Sequence, residues 1–128
     1  MRLSEAATPD FGKHETFVLR YGWLRKAHRF TKENPKIFVS EDASVLMGVG
    51  INMVRAIKFW GAASNVITEH EKSEWVPTRF GESVFGDDGW DPYLEDPASL
   101  WLIHWTLFSP PSRLPIWWYS LNMFNAVE

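Results

Sequence analysis

Two short helices joined by a tight turn are predicted over residues 40–67, and this stretch constrains the fold more than any other. Ser40 can cap a helix that runs from Glu41 to Met47. Gly48 then suits the left-handed backbone conformation at a helix end. A period of 3.6 residues resumes from Asn52 to Ser64. The stretch therefore predicts a helix-turn-helix unit, in which one face of the second helix is left open.

The second helix of this unit has an inner and an outer face. Val54 and Ile57, together with a valine in the turn, are expected to hold it against the first helix. The outer face presents a mixed set of residues: Asn52, Arg55, Ala56 and Phe59. Asparagine pairs naturally with adenine and arginine with guanine, so Asn52 and Arg55 are candidates for base contacts in DNA. Lys58 is a candidate for a phosphate contact.

The flanking segments extend this unit to a winged helix. A basic first helix is predicted from Thr16 to a stop at Asn34 and Pro35. Short strands at 66–68 and 75–76 form a predicted hairpin, and a helix follows from Arg79 to Phe85, capped by Thr78. Residues 37–39 are expected to be extended. The fold class predicted is mainly α: a winged helix-turn-helix with a small β-hairpin wing, followed by an aromatic-rich helical hairpin.

The helical hairpin follows an acidic loop at residues 86–96. Asp96 can cap a helix through Phe108, with Pro97 in its first position, and another helix is expected from Pro115 to Phe124. The predicted organisation is therefore a flexible leader over 1–15, the winged helix over 16–85, and the loop with the hairpin over 86–128. The abrupt end suggests a piece of a longer protein.

Charge is divided unevenly along the 128 residues. Residues 1–60 contain ten Lys and Arg against six Asp and Glu, whereas residues 61–128 contain three against ten. Such asymmetry orients a protein relative to a polyanion. The candidates for phosphate contacts in the basic half are Lys13, His14, Arg20 and Arg25. The predicted hairpin is mostly acidic, which argues against phosphate contacts there.

Eight tryptophans are many for this length, and six lie after residue 74. Large aromatic side chains dominate cores and interfaces. A domain of this size cannot easily bury them all. The residues expected to contact a protein partner, or a missing part of the same protein, are Trp101, Trp105, Trp117 and Trp118. A core role for the same stripe is equally consistent with the spacing.

Motifs for catalysis and metal binding are weak. His14 and Glu15 would need a second histidine at position 18 to form a zinc-binding helix, and that residue is Val18. The acidic loop, with Asp87, Asp88, Asp91, Glu95 and Asp96, lacks the spacing of a calcium loop and has no nearby lysine for a nuclease. We expect its carboxylates to cap helices and bind backbone N–H groups. No metal, cofactor or catalytic residue is predicted.

Zero cysteines exclude disulfides and thiolate metal sites, which suits a reducing cytoplasm. The chain shows neither a signal peptide nor an apolar run long enough to cross a membrane. A cytoplasmic protein without a membrane partner is therefore expected. Its oligomeric state does not follow from the residues.

Four strings, at residues 11–17, 19–24, 48–50 with 52–55, and 85–97, resemble a bacterial and archaeal family known as domain of unknown function four-thousand-seven. The last string, FGDDGWDPYLEDP, is the most specific. The resemblance implies a protein about twice this long. It also implies genes beside enzymes similar to phosphoadenosine-phosphosulfate reductase, in islands that modify DNA with phosphorothioate or defend against phage. It carries no established activity.

Three functions follow, in order of preference. The first is a DNA-binding accessory protein of a prokaryotic phosphorothioation-type modification or anti-phage defence system, with double-stranded DNA and a protein of that system as partners. The second is an adaptor that docks a sulfur-transfer or nuclease partner; winged helices also serve in protein docking, and then Ile51 and Phe59 would be contact residues. The third, a metal-dependent nuclease on the acidic loop, ranks last because the loop has no nearby lysine and its carboxylates are better explained as helix caps; an enzyme is therefore the less expected outcome.

Overall fold

The computed structural model describes residues 1–8 and 12–124, and these residues are mostly helical. The described elements are α1 (Leu3–Ala6), α2 (Trp23–Glu33), a 3-10 turn (Ile37–Val39), α3 (Ala43–Met47), α4 (Ile51–Ala63), β1 (Ile67–Glu71), β2 (Glu74–Pro77), α5 (Arg79–Phe85), α6 (Pro97–Phe108) and α7 (Pro115–Asn122). None of the helices in these ranges combines the length and the apolar character that a bilayer span needs.

The predicted helix pair is present as α3 and α4. Gly48 ends α3 in the left-handed region, with a φ of 66°, as its position predicts. Val54 and Ile57 are buried, so they do hold α4 against the core. The N-cap of α3 is Asp42, two residues after the predicted N-cap Ser40. The Ser40 hydroxyl instead accepts a hydrogen bond from the Asp42 N–H at 3.3 Å.

The core lies where α2 crosses α4. Gly61 of α4 faces Ala27 of α2, and a Cβ on Gly61 would lie 2.8 Å from the Ala27 Cβ. The absence of a side chain at Gly61 therefore sets how closely the two helices approach. Leu24 and Ile57 fill the space beside this crossing and are almost fully buried.

The first long helix begins later than predicted. It starts at Trp23, not Thr16, because Gly22 takes a φ of 82° and Thr16 a φ of 64°. Both values lie in the left-handed region, which a right-handed helix cannot include. The intervening segment instead packs on α4, where the Trp60 indole N–H donates to the Phe17 carbonyl at 3.0 Å.

The antiparallel hairpin of β1 and β2 follows α4, as predicted, and Ile67 pairs with Pro77. Thr78 caps α5 by accepting the Gly81 N–H at 2.9 Å. The segment from Ile37 to Val39, expected to be extended, forms a single 3-10 turn. The predicted order of helices, turn and hairpin through Phe85 is thus present.

Residues 1–8, at the start of the segment predicted as a flexible leader, include regular secondary structure. Residues Leu3–Ala6 form a helical turn, and Ala7 bridges to Ser112 in the link between α6 and α7. The Thr8 N–H donates to the Ser112 carbonyl, and the Ser112 N–H donates to the Ala6 carbonyl, each at 2.8 Å. This contact is made by backbone groups. It therefore leaves no apolar periodicity in the sequence from which it could be predicted. This segment packs beside α7, and Trp118 of α7 is buried.

The aromatic hairpin forms as expected. Asp96 caps α6 by accepting the Ala98 N–H at 2.9 Å, with Pro97 in the first turn. Helix α7 begins at Pro115 but ends at Asn122, two residues before the predicted end. The predicted segment 86–128 also includes residues 125–128, which lie outside the described residues.

Candidate nucleic-acid interface

A groove of about 390 Å³ lies beside α4 and gathers four cations from three parts of the chain. Its floor is apolar, formed by Phe59, Ala62 and Trp75. The charged residues that line it are Lys13, Arg55, Lys58 and Arg113, with Glu15 and Glu69 among them. Three of the four cations are among the residues that the sequence predicted for DNA contacts.

Helix α4 presents a narrower outer face than predicted. Asn52 and Arg55 are exposed, and the Arg55 guanidinium donates to the Asn52 side-chain oxygen at 3.3 Å. Ala56 and Phe59, which were placed on the same open face, are buried. The helix is packed on more than one side, so its free face is a stripe that includes Ile51 and continues to the half-buried Lys58.

Lys58 reaches into the groove over the ring of Trp75. Its ammonium lies 4.9 Å from the ring centroid, within the range of a cation–π contact. Trp75 belongs to β2, and its backbone N–H donates to the Pro35 carbonyl at 2.8 Å. The hairpin therefore supplies the aromatic surface that the Lys58 side chain contacts.

Glu15 is the acidic neighbour of Arg55. Its carboxylate lies 3.6 Å from the Arg55 guanidinium, and a third of the Glu15 side chain is exposed. The Glu15 backbone has a φ of 53°, in the turn that also carries Lys13. An anion that approaches Arg55 would compete with this carboxylate, since a half-exposed pair of this kind is weak.

The other predicted phosphate ligands lie outside the groove. The His14 ring stacks on Trp60 at 6.2 Å and packs edge-on against Phe59, so it contacts the aromatic core. The Arg20 guanidinium lies 5.6 Å above the Trp23 ring. Arg25 lies 4.4 Å above the Tyr93 ring, in a different cavity.

Arg113 and Glu69 are groove residues that sequence reasoning missed. Arg113 is half-buried in the link between α6 and α7, far from α4 in sequence. A single arginine between prolines carries no periodic signal, so only the folded chain brings it to the groove. Glu69 was counted only as part of the acidic hairpin. Its side chain also accepts the Ser73 N–H at 3.1 Å, which closes the hairpin turn.

The four tryptophans predicted for partner contacts divide into two groups. Trp101 and Trp105 of α6 are 71% and 72% exposed, and Trp117 of α7 is 47% exposed. The Trp117 ring stacks on Phe108 at 5.7 Å, which joins the two helices. Trp118 is only 5% exposed, and its role in the described residues is that of a core residue. Of the two roles that the spacing allows, core and partner contact, this burial favours the core role for Trp118.

Two carboxylates of the acidic loop, Asp91 and Asp96, bind backbone N–H groups, as expected. Asp91 is buried and accepts the N–H groups of Glu95 at 2.9 Å and Asp96 at 3.0 Å. Burial on its own would raise the pKa of Asp91, but these bonds and one from Ser99 together hold that pKa below its usual value of 3.8. Among the described residues, no group of three His, Cys, Asp or Glu side chains is placed to hold a metal ion.

Replacing Asp91 by alanine is expected to lower the melting temperature by roughly 5–10 °C at neutral pH, because two buried N–H groups lose their acceptor. The ionised Asp91 stabilises the native state above pH 3.8, and this contribution is lost as the pH falls through its lowered native pKa. The difference between wild type and variant should therefore shrink in strong acid. Thermal denaturation followed by circular dichroism measures both effects. The exposed neighbour Asp88 supplies the control, and equal shifts for Asp88→Ala would contradict this role of Asp91.

The fold and the groove together define a class of protein: a mainly helical domain with a cation-lined groove beside the narrow exposed face of α4. The chain belongs to the family described as Protein of unknown function (DUF4007), whose model matches residues 11–128. The family suggested by the four sequence strings is thereby confirmed.

Two solved structures are similar to this chain. One is described as "Magnesium ion-bound SspB crystal structure", with a TM-score of 0.91 and 39% identity over 97% of this chain and 39% of that chain. The other is described as "SspB crystal structure", with a TM-score of 0.92 and 38% identity over 98% of this chain and 40% of that chain. This chain therefore spans about two fifths of the length of those proteins. No curated protein sequence matches it.

Proposed function

We propose that this domain binds double-stranded DNA through the groove beside α4. The observation that carries the proposal is the convergence of Lys13, Arg55, Lys58 and Arg113 on one groove, although they lie up to 100 residues apart in the sequence. Cations gathered in this way, with an exposed asparagine at the same helix, match the chemistry of phosphate and base-edge contacts.

The order of α2, α3, α4, β1 and β2 supports a winged helix-turn-helix interpretation of this groove. In that interpretation α4 is the recognition helix and the hairpin is the wing. Asn52 and Arg55 then contact base edges, while Lys58 contacts the backbone. The exposed part of β1 is acidic at Glu69 and Glu71, so the wing contributes shape more than charge.

The wider role that we infer is that of a DNA-binding accessory protein of a phosphorothioation-type modification or phage-defence system in the cytoplasm. The similarity to two structures named SspB and the family membership support this inference. The sequence resemblance implies the same context. The net charge of −3 limits binding to the cationic side, since the remaining surface repels phosphates.

A salt titration tests the proposal. A fluorescein-labelled 20-base-pair duplex is titrated with the protein at several salt concentrations, and its anisotropy is followed. We expect binding at low salt, with a slope of log K against log salt of about −3 if three to four phosphates are contacted. Absence of binding at low salt, or an affinity independent of salt, would overturn the proposal.

A second candidate function is protein docking on the aromatic face, defined here as Trp101, Trp105, Ile116 and Trp117. These side chains are 47–72% exposed on adjacent helices, and exposed aromatic clusters of this kind mark interfaces. The solved SspB chains have about three fifths of their length outside the matched part. We propose that a polypeptide equivalent to that part covers this face.

Replacing Trp101 and Trp105 together by alanine is expected to weaken such a complex by at least about a hundredfold, since each aromatic anchor contributes about 2 kcal/mol or more. The chain is co-expressed with the remaining three fifths of a solved SspB relative, and the complex is measured by size-exclusion chromatography with light scattering. Trp90→Ala is the matched control, because Trp90 is 58% exposed in the acidic loop. A complex that survives the double change, or self-association of this chain alone, would refute this occupant.

A further inference from the structure

A second cavity, of about 400 Å³, lies on the α2 side of the molecule and shares no lining residue with the groove beside α4. Its rim carries three cations, Arg25, Lys26 and Arg29, and two tyrosines, Tyr21 and Tyr93. Among the described residues that line it, none is acidic. Leu46, Met47, Phe85 and Leu94 supply its apolar walls. The combination is that of a small-molecule pocket with cationic groups at its edge.

The pocket is held together by contacts between distant parts of the chain. The Tyr21 hydroxyl donates to the Tyr93 carbonyl, which ties the acidic loop to the start of α2. The Lys26 ammonium donates to the Met47 carbonyl at 2.7 Å, which ties α2 to the end of α3. The aromatic and cationic groups are therefore positioned before any ligand binds.

Arg25 and Tyr93 form a stacked pair in this pocket. The Arg25 guanidinium lies 4.4 Å from the Tyr93 ring centroid, and its terminal nitrogen lies 3.4 Å from the tyrosine hydroxyl. Tyr21 is 76% exposed and Tyr93 is 55% exposed, so both rings present surface to solvent. Arginine and tyrosine planes are the surfaces on which unpaired bases stack, while guanidinium groups bind phosphate in a bidentate manner.

We propose that this pocket binds one unpaired nucleotide, with its base on the Tyr21 and Tyr93 side and its phosphate at Arg25 and Arg29. Duplex DNA does not offer this chemistry, because its bases are stacked within the helix. The nucleotide comes either from a DNA strand with an unpaired segment or from a free mononucleotide. Arg29 also pairs with Glu33 at 3.0 Å in an exposed contact, which a phosphate can displace.

The test measures binding of a fluorescein-labelled, phosphorylated tetradeoxyadenylate by anisotropy. We expect Arg25→Gln to weaken binding about tenfold, as the loss of one charge-assisted, stacked contact implies. Arg79→Gln, at an exposed arginine outside both cavities, is the control and should leave binding unchanged. Competition by deoxyadenosine monophosphate at a similar concentration identifies a free mononucleotide as the source, and failure to compete identifies a strand.

Other outcomes would overturn the assignment. Equal binding of an abasic tetranucleotide or of tetraglutamate would show that only charge is recognised. Equal affinity of wild type and Arg25→Gln would place the strand elsewhere. Thermal denaturation of the variant shows whether it is folded, and Arg25→Lys, which keeps the charge and loses the plane, should also weaken binding. Duplex affinity at the groove beside α4 is measured separately with Arg55→Glu. The proposal for the groove and the proposal for this pocket can therefore be refuted independently.

Discussion

Replacing Arg55 by glutamate is expected to weaken duplex DNA binding about a hundredfold at low salt, because one favourable contact is lost and a repulsive carboxylate is added. The Arg55 side chain is 60% exposed on α4 and points to the groove that Lys58 also lines. The new carboxylate would lie near Glu15, so two negative charges would face the phosphates. Fluorescence anisotropy with a labelled duplex measures the change.

The matched control is Arg79→Glu, which alters the net charge by the same amount on exposed surface outside the groove. We expect it to change the affinity by no more than about twofold, as a long-range charge effect does when salt screens it. If both variants lost the same affinity, the effect would be one of net charge. If Arg55→Glu bound as tightly as wild type, α4 would not contact DNA.

Glu15 provides a test with the opposite sign. Glu15→Gln removes the carboxylate that lies 3.6 Å from Arg55, while it keeps the size of the side chain. The duplex affinity should rise about threefold to tenfold, because Arg55 no longer has to give up the Glu15 carboxylate when it binds a DNA phosphate. A lower affinity in this variant would show that Glu15 positions Arg55 for DNA and does not compete with it.

Replacing Gly61 by alanine is expected to destabilise the fold by about 2 kcal/mol, the typical cost of overpacking a core. The new Cβ would lie 2.8 Å from the Ala27 Cβ and 3.1 Å from two Ile67 side-chain atoms. The isoleucine can rotate, but both alanine positions are fixed by helix backbones. This strain outweighs the gain of about 1 kcal/mol that alanine brings within a helix.

Gly50→Ala is the control for this change. A Cβ on Gly50 meets no atom within 4 Å, and its φ of −65° suits any residue. Urea denaturation should show a loss of less than about 1 kcal/mol there, the scale of a weaker N-cap. Equal stability of Gly61→Ala and Gly50→Ala would contradict the close contact, because it would mean that α2 and α4 are farther apart at their crossing than in the structure.

The elements with local signals follow the sequence closely. The caps at Thr78 and Asp96 and the left-handed Gly48 are properties of a few neighbouring residues, and each ends or begins a helix where predicted. The start of α2 was placed too early because apolar periodicity continues through residues 16–22. The positive φ angles at Thr16 and Gly22 exclude this segment from the helix, and its contact with α4 is tertiary, so no local pattern records it.

The candidate interface was partly predictable. Arg55 and Lys58 follow from helix periodicity, whereas Arg113 reaches the groove only through the tertiary fold. His14 shows the limit of sequence reasoning in the other direction. Lys13 and Glu15 line the groove, but His14 between them packs against the aromatic core, so it is not a groove residue. Helix periodicity assigns Phe59 to the open face if α4 packs against a single neighbouring helix. In the structure α4 packs against several elements, so Phe59 is buried.

The central claim is that duplex DNA contacts the groove beside α4, and mapping the contact surface by nuclear magnetic resonance tests it most directly. Amide and side-chain signals of ¹⁵N-labelled protein are followed as an unlabelled duplex is added at low salt. We predict the largest changes at Lys13, Arg55 and Lys58, with the exposed indoles of Trp101 and Trp105 unchanged. Changes confined to those two indoles, or no changes at all, would contradict the claim.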